Sequence, residues 1–354
     1  GTFKGEGTPP VIFPGQSFSI KFNAGKGQHL AFATMYGASK DWFFAPENPG
    51  LKLYNDDGTA ITGDVSSQIK LWDNGTKNNM TGEDESMVVG QVPGIDASTL
   101  VKLNLEYNSE RSEFTLTVMN SSGGTDQETP LSPGVWAVSN ILGGNLLNDA
   151  PFYNAGELSN PEITPLAETG NNEPAAMKAE ANTGIITGIS PVVAVIYTGE
   201  QNPIFKMGEK DMGNGLKSVA QTGDASELKA SLMAMPNVKE VHILGNAPIG
   251  PGGQEMAMVK GETGDKIAFV TMFGYSNDWF YANTEELVLG STKGDLIGKT
   301  DLYDNGTAMD QFPGAGNAQA LFGGSPIAED KTIAKVTGDF PVPAKEQVLK
   351  VTLK

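Results

Sequence analysis

The sequence predicts a mostly β protein built from two antiparallel β-sandwich domains, chiefly because one β-patterned stretch occurs twice. Residues 31–45 read AFATMYGASKDWFFA, residues 268–282 read AFVTMFGYSNDWFYA, and ten of these fifteen positions are identical. Self-similarity between distant segments indicates a duplicated structural unit. Gly, with 44 residues, and Pro, with 21, are both abundant, as they are in β proteins with many loops.

The first half of each copy has the alternation of a buried β-strand. In the first copy, Leu30 and Phe32 face one way while Ala31 and Ala33 face the other. Apolar or small side chains on both faces are typical of a strand inside a β-sandwich. We therefore predict a strand over about residues 28–36 and an equivalent strand in the second copy.

A carboxylate directly precedes the aromatic pair Trp-Phe in each copy, at Asp41 and Asp278. One interpretation is a turn residue that accepts backbone hydrogen bonds while the aromatic side chains fill the core. The other is a metal ligand, because carboxylate oxygens are preferred ligands of hard cations such as Ca²⁺. This stretch alone leaves both interpretations open.

A second matching motif lies downstream of each copy. It reads LWDNGT at 71–76 and LYDNGT at 302–307, and it contributes Asp73 and Asp304. Asp-Asn-Gly is a strong turn signal, so a tight loop between strands is the simpler interpretation. In the metal interpretation, the aspartates of the two motifs converge. Because Ca²⁺ takes about six to eight oxygen ligands, two aspartates per copy form only part of a site.

The two motifs together, T-M-(F/Y)-G-x-S-(N/K)-D-W-F-(F/Y)-A and L-(W/Y)-D-N-G-T, resemble the spondin amino-terminal (F-spondin) domain in its bacterial form. The similarity extends to residues 189–232 and to VLKVTL at 348–353, so it covers nearly the whole chain. The resemblance implies an antiparallel β-sandwich related to C2 domains. It also implies a secreted adhesion or matrix module that performs no catalysis and holds a calcium ion at one end.

The same resemblance implies a set of calcium ligands. These metal-ligand candidates are Asp41, Asp73, Asp278 and Asp304. The family pattern adds a Glu on the strand before the Asp-Trp-Phe strand, and the aligned positions in this sequence hold Ser19 and Met256. Without this third carboxylate, we expect a weakened Ca²⁺ site or one left to Na⁺ or water.

Further matching segments determine the order of blocks along the chain. LSPGVWAV at 131–138 matches ISPVVAV at 189–195, and a helical segment follows each. After the second, apolar residues recur at helical spacing, at Leu216, Val219, Leu228 and Leu232. The repeats divide the chain into two kinds of block, named A and B, and a prime marks the second copy of each. Their order along the chain is B (1–110), A (111–182), A′ (183–240) and B′ (241–354). We predict two domains, 1–182 and 183–354, each with a helical insertion, of which the first is circularly permuted. A rival arrangement is an N-terminal partial domain followed by one long domain with a duplicated A block.

The charge and the absence of cysteine narrow the partners and the location. A net charge of −18 argues against nucleic acid or an anionic membrane as partner and is compatible with cation binding. The chain has no Cys, which excludes disulfides and fits a bacterial source for an exported protein. No run approaches the length of a membrane span. We expect an extracytoplasmic protein, whether secreted, periplasmic or surface-anchored, whose export signal has been removed.

The remaining residues that could act in catalysis do not form the pattern of a known active site. His29 and His242 lack the neighbours of a Ser-His-Asp triad or a zinc site. Glu157 and Glu209 are acidic residues that a glycosidase could pair with Asp41 or Asp278, but no cleft is indicated. The four Trp residues could stack on sugars, although core positions are the favoured interpretation.

The sequence as a whole therefore predicts a non-catalytic secreted or cell-surface binding or adhesion protein, with calcium as a candidate cofactor. Its ligand is expected to be an extracellular protein or a glycan. The alternatives are a carbohydrate-binding surface protein and a carboxylate-based glycoside hydrolase.

Overall fold

The computed structural model divides the chain into two compact units, Gly1–Ile186 and Thr187–Lys354. The structure describes residues 1–139, 141–142, 145–146, 148–182, 184, 186–340 and 342–354. The described part is mostly β, with antiparallel sheets, and the predicted mostly β class is therefore confirmed. Within these ranges, no helix is both long and apolar enough to cross a bilayer.

Unit 1 contains strands β1 to β13 and helices α1 to α3. The strands are β1 (Thr2–Phe3), β2 (Ser17–Asn23), β3 (His29–Met35), β4 (Trp42–Pro46), β5 (Leu51–Lys52), β6 (Gly63–Asp64), β7 (Ile69–Asp73), β8 (Gly90–Gln91), β9 (Val101–Asn108), β10 (Glu113–Asn120), β11 (Gly134–Val138), β12 (Ile141–Leu142) and β13 (Asn145–Leu146). The helices are α1 (Ala97–Leu100), α2 (Thr164–Thr169) and α3 (Glu173–Asn182), and a 3₁₀ turn spans Ser66–Gln68.

Two sheets of unit 1 pack face to face. The first has the order β1-β11-β3-β4-β7-β8, with β5 added to β3, and the second has the order β2-β10-β9-β6. Leu30 and Phe32 lie in the core between the two sheets, whereas Ala31 and Ala33 lie in a second core against α2 and α3. The alternation predicted from the sequence is therefore correct, and both faces of β3 are buried.

Unit 2 contains strands β14 to β22 and helices α4 to α6. The strands are β14 (Val192–Tyr197), β15 (Val238–Leu244), β16 (Lys266–Met272), β17 (Trp279–Asn283), β18 (Leu287–Val288), β19 (Gly294–Asp295), β20 (Thr300–Asp304), β21 (Ala334–Lys335) and β22 (Thr352–Leu353). The helices are α4 (Leu216–Thr222), α5 (Ser226–Met233) and α6 (Lys345–Val348), and 3₁₀ turns span Ile297–Lys299 and Ala320–Phe322.

The main sheet of unit 2 has the order β15-β14-β16-β17-β20-β21, with β18 added to β16. One face is covered by α4 and α5, whose residues Leu216, Val219, Leu228 and Leu232 are fully buried. The helical spacing of these residues in the sequence is therefore matched by a shared buried face. The other sheet of unit 2 contains β19 and β22 among the described residues.

Equivalent strands occupy equivalent places in the two main sheets, although they follow one another differently along the chain. In unit 1, β11 comes after β3 in the sequence, and it pairs with it through Val135 and Ala33. In unit 2, β14 comes before β16, and it pairs with it through Val193 and Val270. These pairs are the same positions of the repeated segments, so the register of the central strands is shared.

Side-chain contacts follow the same equivalence. Thr34 Oγ1 donates to the carbonyl of Ser132 at 2.8 Å, and Thr271 Oγ1 donates to the carbonyl of Ser190 at 2.8 Å. The helical segments of the two units also pack against their main sheets in the same way. A Cβ at Gly170 would lie 2.8 Å from Ser132 Cβ, and one at Gly223 would lie 3.0 Å from Ser190 Cβ. These glycines end α2 and α4 in the left-handed conformation.

Candidate metal centre

The aspartate before the Trp-Phe pair ties one loop to another in both units. Asp41 is fully buried, and its Oδ2 accepts hydrogen bonds from Thr76 N and Lys77 N, both at 2.8 Å. Asp278 is likewise fully buried, and its Oδ2 accepts from Thr307 N at 2.6 Å and Ala308 N at 2.9 Å. In each unit, this oxygen serves as the turn acceptor that the sequence suggested.

The Asp-Asn-Gly motif makes the same tight loop after β7 and after β20. Asp73 Oδ1 accepts from Gly75 N at 2.8 Å, and Asp304 Oδ1 accepts from Gly306 N at 2.7 Å. The φ of Gly306 is 70°, and a Cβ there would lie 2.7 Å from the carbonyl oxygen of Lys331. Gly is required at this position because other residues fit neither the left-handed backbone nor the space.

In unit 1, hydrogen-bond donors reach every oxygen of the two candidate aspartates. Asn79 Nδ2 donates to Asp41 Oδ1 at 2.8 Å, and Trp42 Nε1 donates to Asp73 Oδ2 at 3.0 Å. The orientation of the Asn79 amide follows from its oxygen, which accepts from Lys40 N at 2.7 Å. The first-copy candidates therefore lie close together, but protein donors already satisfy them.

In unit 2, the position equivalent to Asn79 holds Asp310. Trp279 Nε1 donates to Asp310 Oδ1 at 2.6 Å. Among the described residues, no N–H or hydroxyl group donates to the buried Asp278 Oδ1, although a proton shared with Asp304 could link the two carboxyls. Carboxylate oxygens of Asp278, Asp304 and Asp310 all lie within 4.8 Å of one another. Within the described ranges, these three residues form the one group of potential ligands that are close enough together to hold a metal ion.

A fourth acid borders the cluster. Glu329 Oε1 is paired with Lys331 Nζ at 2.5 Å, and Glu329 Oε2 is buried without a partner among the described residues. Its negative charge contributes to raising the pKa of Asp304 and of Asp310. Unit 2 therefore concentrates negative charge in a place from which much of the water is excluded.

Burial and mutual repulsion shift these carboxyls towards the protonated form. Burial, followed by the nearby charge of Asp304, raises the pKa of Asp278 well above its ordinary value. Burial, then the charges of Asp304 and Asp278, raises the pKa of Asp310 to about 8. Clustered carboxylates become ionised together only when a positive charge compensates them. Near neutral pH, the cluster therefore holds either protons or a cation.

The donor set fits a hard cation. The ligands that the cluster offers are carboxylate oxygens, which are the hard donors that Ca²⁺ prefers and which water can supplement. The cluster contains neither the His nor the Cys that zinc prefers. The unpartnered Asp278 Oδ1 is the oxygen that a cation would satisfy.

The third acid of unit 2 comes from a different place than the sequence analysis considered. Ser19 lies on β2, where its hydroxyl is 3.1 Å from Thr117 Oγ1, and Met256 is 73% exposed. Asp310 instead follows the second motif by a few residues. Aligning DNGTKNN with DNGTAMD would have revealed it, because the last position changes from Asn79 to Asp310.

The other candidate residues lie in ordinary structural contacts. His242 Nε2 is 2.8 Å from Glu240 Oε2. The acids at 157 and 209 are exposed and have local partners, Asn154 and Lys206. Of the four Trp residues, two are buried and two are partly buried against the core of unit 1, namely Trp72, Trp279, Trp42 and Trp136.

No known protein-family model matches the chain, and no curated protein is detectably similar to it. The predicted resemblance to spondin domains therefore depends on the sequence segments named above and stays a prediction.

Proposed function

We propose that this protein is a non-catalytic, secreted or surface-attached binding or adhesion protein of the spondin type, supported by a Ca²⁺ ion in unit 2. The ion is held by Asp278, Asp304 and Asp310. The observation that carries the proposal is Asp278 Oδ1, which is buried in a carboxylate cluster with no donor among the described residues.

The position of the cluster suggests what the ion does. Asp278 ends the turn before β17, Asp304 ends β20, and Asp310 lies in the loop that follows. A cation bound to all three joins these segments at one end of the unit. Because the ion binds the folded state and not the unfolded one, it stabilises the protein and fixes the loops that a partner would contact.

We also infer that the two units derive from one C2-like sandwich and that unit 1 is its circular permutant. The shared strand order of the main sheets supports this inference, as does the shared register of β11 on β3 and of β14 on β16. Permutation requires only that the ends of the ancestral unit lie close together, which is common in domains.

The core positions of the Trp residues give the carbohydrate alternative no support, because an indole that stacks on a sugar has to present its face to solvent. The hydrolase alternative has no supporting contact either, since Glu157 and Glu209 are exposed and paired locally.

Calcium titration of the whole chain tests the proposed metal centre. We expect isothermal calorimetry to show one saturable Ca²⁺ site and thermal melts to shift upward by several degrees relative to EDTA. The matched variant is Asp310→Asn, which reproduces the Asn79 arrangement and should fold while losing both responses. Calcium binding that is unchanged in Asp310→Asn would reject this site.

Binding assays test the adhesion function. The protein, with Ca²⁺ or with EDTA, is applied to immobilised extracellular matrix proteins and to a glycan array. Calcium-dependent retention on a matrix protein is the expected result. Retention on glycans alone would replace the proposal by the carbohydrate alternative, and failure to bind either class would contradict it.

A further inference from the structure

Unit 2 contains a cavity of about 200 Å³ beside the link between β21 and α6. The apolar side chains of Leu302, Val336 and Val342 form part of its wall, together with Tyr281 and the charged side chain of Lys345. An engineered cavity of about 150 Å³ in another protein holds benzene, so this one has room for a slightly larger molecule. A mostly apolar wall with a few polar groups is typical of small-molecule sites.

The tyrosine of this cavity takes the place of a phenylalanine in unit 1. Tyr281 pairs with Leu302 across the main sheet as Phe44 pairs with Leu71. Phe44 is fully buried in the core between the sheets of unit 1. Because the two rings have the same shape, unit 2 differs at this position by one added hydroxyl group.

This hydroxyl group has no partner within the protein. Tyr281 is 1% exposed, and among the described residues none shares a hydrogen bond with its hydroxyl. Burial, followed by the charge of Glu346, raises the pKa of Tyr281, so the hydroxyl keeps its proton at neutral pH. A buried Tyr hydroxyl usually has a partner. The group that accepts from Tyr281 therefore belongs in the cavity.

The helix at the cavity begins with a lysine in place of an alanine. In α6, Leu349 N donates to the carbonyl of Lys345, as Val101 N donates to the carbonyl of Ala97 after α1. Ala97 is buried in the core of unit 1. Unit 2 therefore places a long charged side chain where unit 1 packs a methyl group.

Two ammonium groups that line the cavity share one carboxylate. Lys335 forms an ion pair with Asp301 Oδ2, and Lys345 Nζ lies 3.7 Å from Asp301 Oδ1. Lys345 Nζ also donates to the carbonyl of Thr300 at 2.6 Å. Glu346 is exposed and lies outside the lining. The lining therefore has one positive charge in excess, and the ammonium of Lys345 has a third hydrogen to donate.

We propose that unit 2 binds a small organic carboxylate with a compact apolar body in this cavity. The hydroxyl of Tyr281 donates to the carboxylate, and the charge of Lys345 balances it. The apolar body contacts Leu302, Val336 and Val342. This site goes beyond the proposed function, because it shares no residue with the aspartate cluster and requires no metal.

The probe is 4-fluorobenzoate, and fluorine NMR of the probe with the whole chain in EDTA is the measurement. We expect saturable binding of one molecule per chain, and unlabelled benzoate should displace the probe. Benzyl alcohol and benzylamine have bodies of the same size without the negative charge. Both should compete at least about tenfold more weakly than benzoate, because they lose a charged hydrogen-bond acceptor.

Two variants assign the binding to this cavity. Tyr281→Phe reproduces the Phe44 arrangement, so it should fold, and it should weaken benzoate binding at least about tenfold. Lys345→Gln keeps the length of the side chain but removes its charge, and it should weaken benzoate while leaving benzyl alcohol unchanged. Lys350→Gln makes the same change of charge at an exposed position nearby and should leave benzoate binding unaltered.

Three results would overturn the proposal. The first is benzoate binding that Tyr281→Phe does not weaken in a chain with a native circular dichroism spectrum. The second is benzyl alcohol or benzylamine that competes as well as benzoate, which would refute the carboxylate as the recognised group. The third is the lack of saturable binding of the probe, which would mean that water alone occupies the cavity.

Discussion

The two copies of the aspartate pocket differ most clearly where Asn79 of unit 1 aligns with Asp310 of unit 2. In unit 1, the Asn79 amide donates to Asp41 Oδ1 at 2.8 Å. In unit 2, Asp310 takes the same position, and Asp278 Oδ1 has no donor among the described residues. The loops of unit 1 are therefore held by hydrogen bonds alone. Those of unit 2, where a carboxylate replaces the amide, require a proton or a cation as well.

The largest difference between the units is expected when the charge of the buried aspartate is removed from each in turn. Asp41→Asn should destabilise unit 1 by about 2 kcal/mol. Both oxygens of Asp41 accept hydrogen bonds, so the new NH₂ group would face an N–H donor and leave that donor without an acceptor. Asp278→Asn should leave metal-free unit 2 unchanged or more stable, since its NH₂ can donate to the carboxylates of Asp304 or Asp310. Urea denaturation in EDTA measures both. Equal losses of stability in the two variants would contradict the comparison.

The next effect concerns the creation of a site. Asn79→Asp should give unit 1 the carboxylate set of unit 2, and calorimetry should then count about two Ca²⁺ ions per chain instead of about one. Asn55→Asp, which adds a carboxylate in an exposed turn, is the control and should leave the count unchanged. If Asn79→Asp binds no second ion, features beyond this one residue distinguish the pockets.

A dependence on pH should follow from the acids of unit 2. The folded-state pKa of Asp310 is raised to about 8, whereas an unfolded Asp titrates near about 3.9. The stability from its protonation is complete below the unfolded pKa and is lost as pH rises through the folded pKa. Metal-free protein should melt several degrees lower at about pH 8 than at about pH 5, and Ca²⁺ should reverse most of this loss.

The variant Asp310→Asn serves as the control for this pH dependence, because it removes the carboxyl group whose pKa is raised to about 8 while it keeps the shape of the side chain. Its melting temperature in EDTA should vary less between these two pH values. A wild-type protein that is equally stable at both would show that the acids of unit 2 are not protonated when the metal is absent.

The smallest effect is expected at the border of the cluster. Glu329→Gln removes a nearby negative charge without touching the three proposed ligands, and it should weaken Ca²⁺ binding roughly threefold. The equivalent residue of unit 1 is Glu85, because Glu85 N donates to the Thr76 carbonyl as Glu329 N donates to the Thr307 carbonyl. Glu85→Gln should leave Ca²⁺ binding unaltered. A loss as large as that of Asp310→Asn would make Glu329 a ligand in its own right.

Local patterns in the sequence were sufficient for much of the fold. The alternation at residues 30–33 predicted a strand buried on both faces, and the spacing of Leu216, Val219, Leu228 and Leu232 predicted the helices that cover the main sheet of unit 2. Both patterns report which side chains of a single helix or strand are buried, and neighbouring residues encode this directly.

The pairing of strands that lie far apart in the sequence was harder to predict. The repeat pattern predicts that FTLTVMN at 114–120 begins block A, but the structure pairs this segment with β2 and β9 of block B. Which distant strand a segment pairs with is not encoded by its own residues. Asp310 was not predicted, because the family pattern places the third acid on the preceding strand, where this sequence holds Ser19 and Met256.

The position of β11 between β1 and β3 has a consequence for synthesis on the ribosome. In unit 1, this inner strand emerges after both of its neighbours, so the nascent main sheet stays split until residue 138 has left the exit tunnel. In unit 2, the equivalent strand β14 emerges first and can template the strands that follow. Assembly during translation should therefore begin late in the first half of the chain and early in the second.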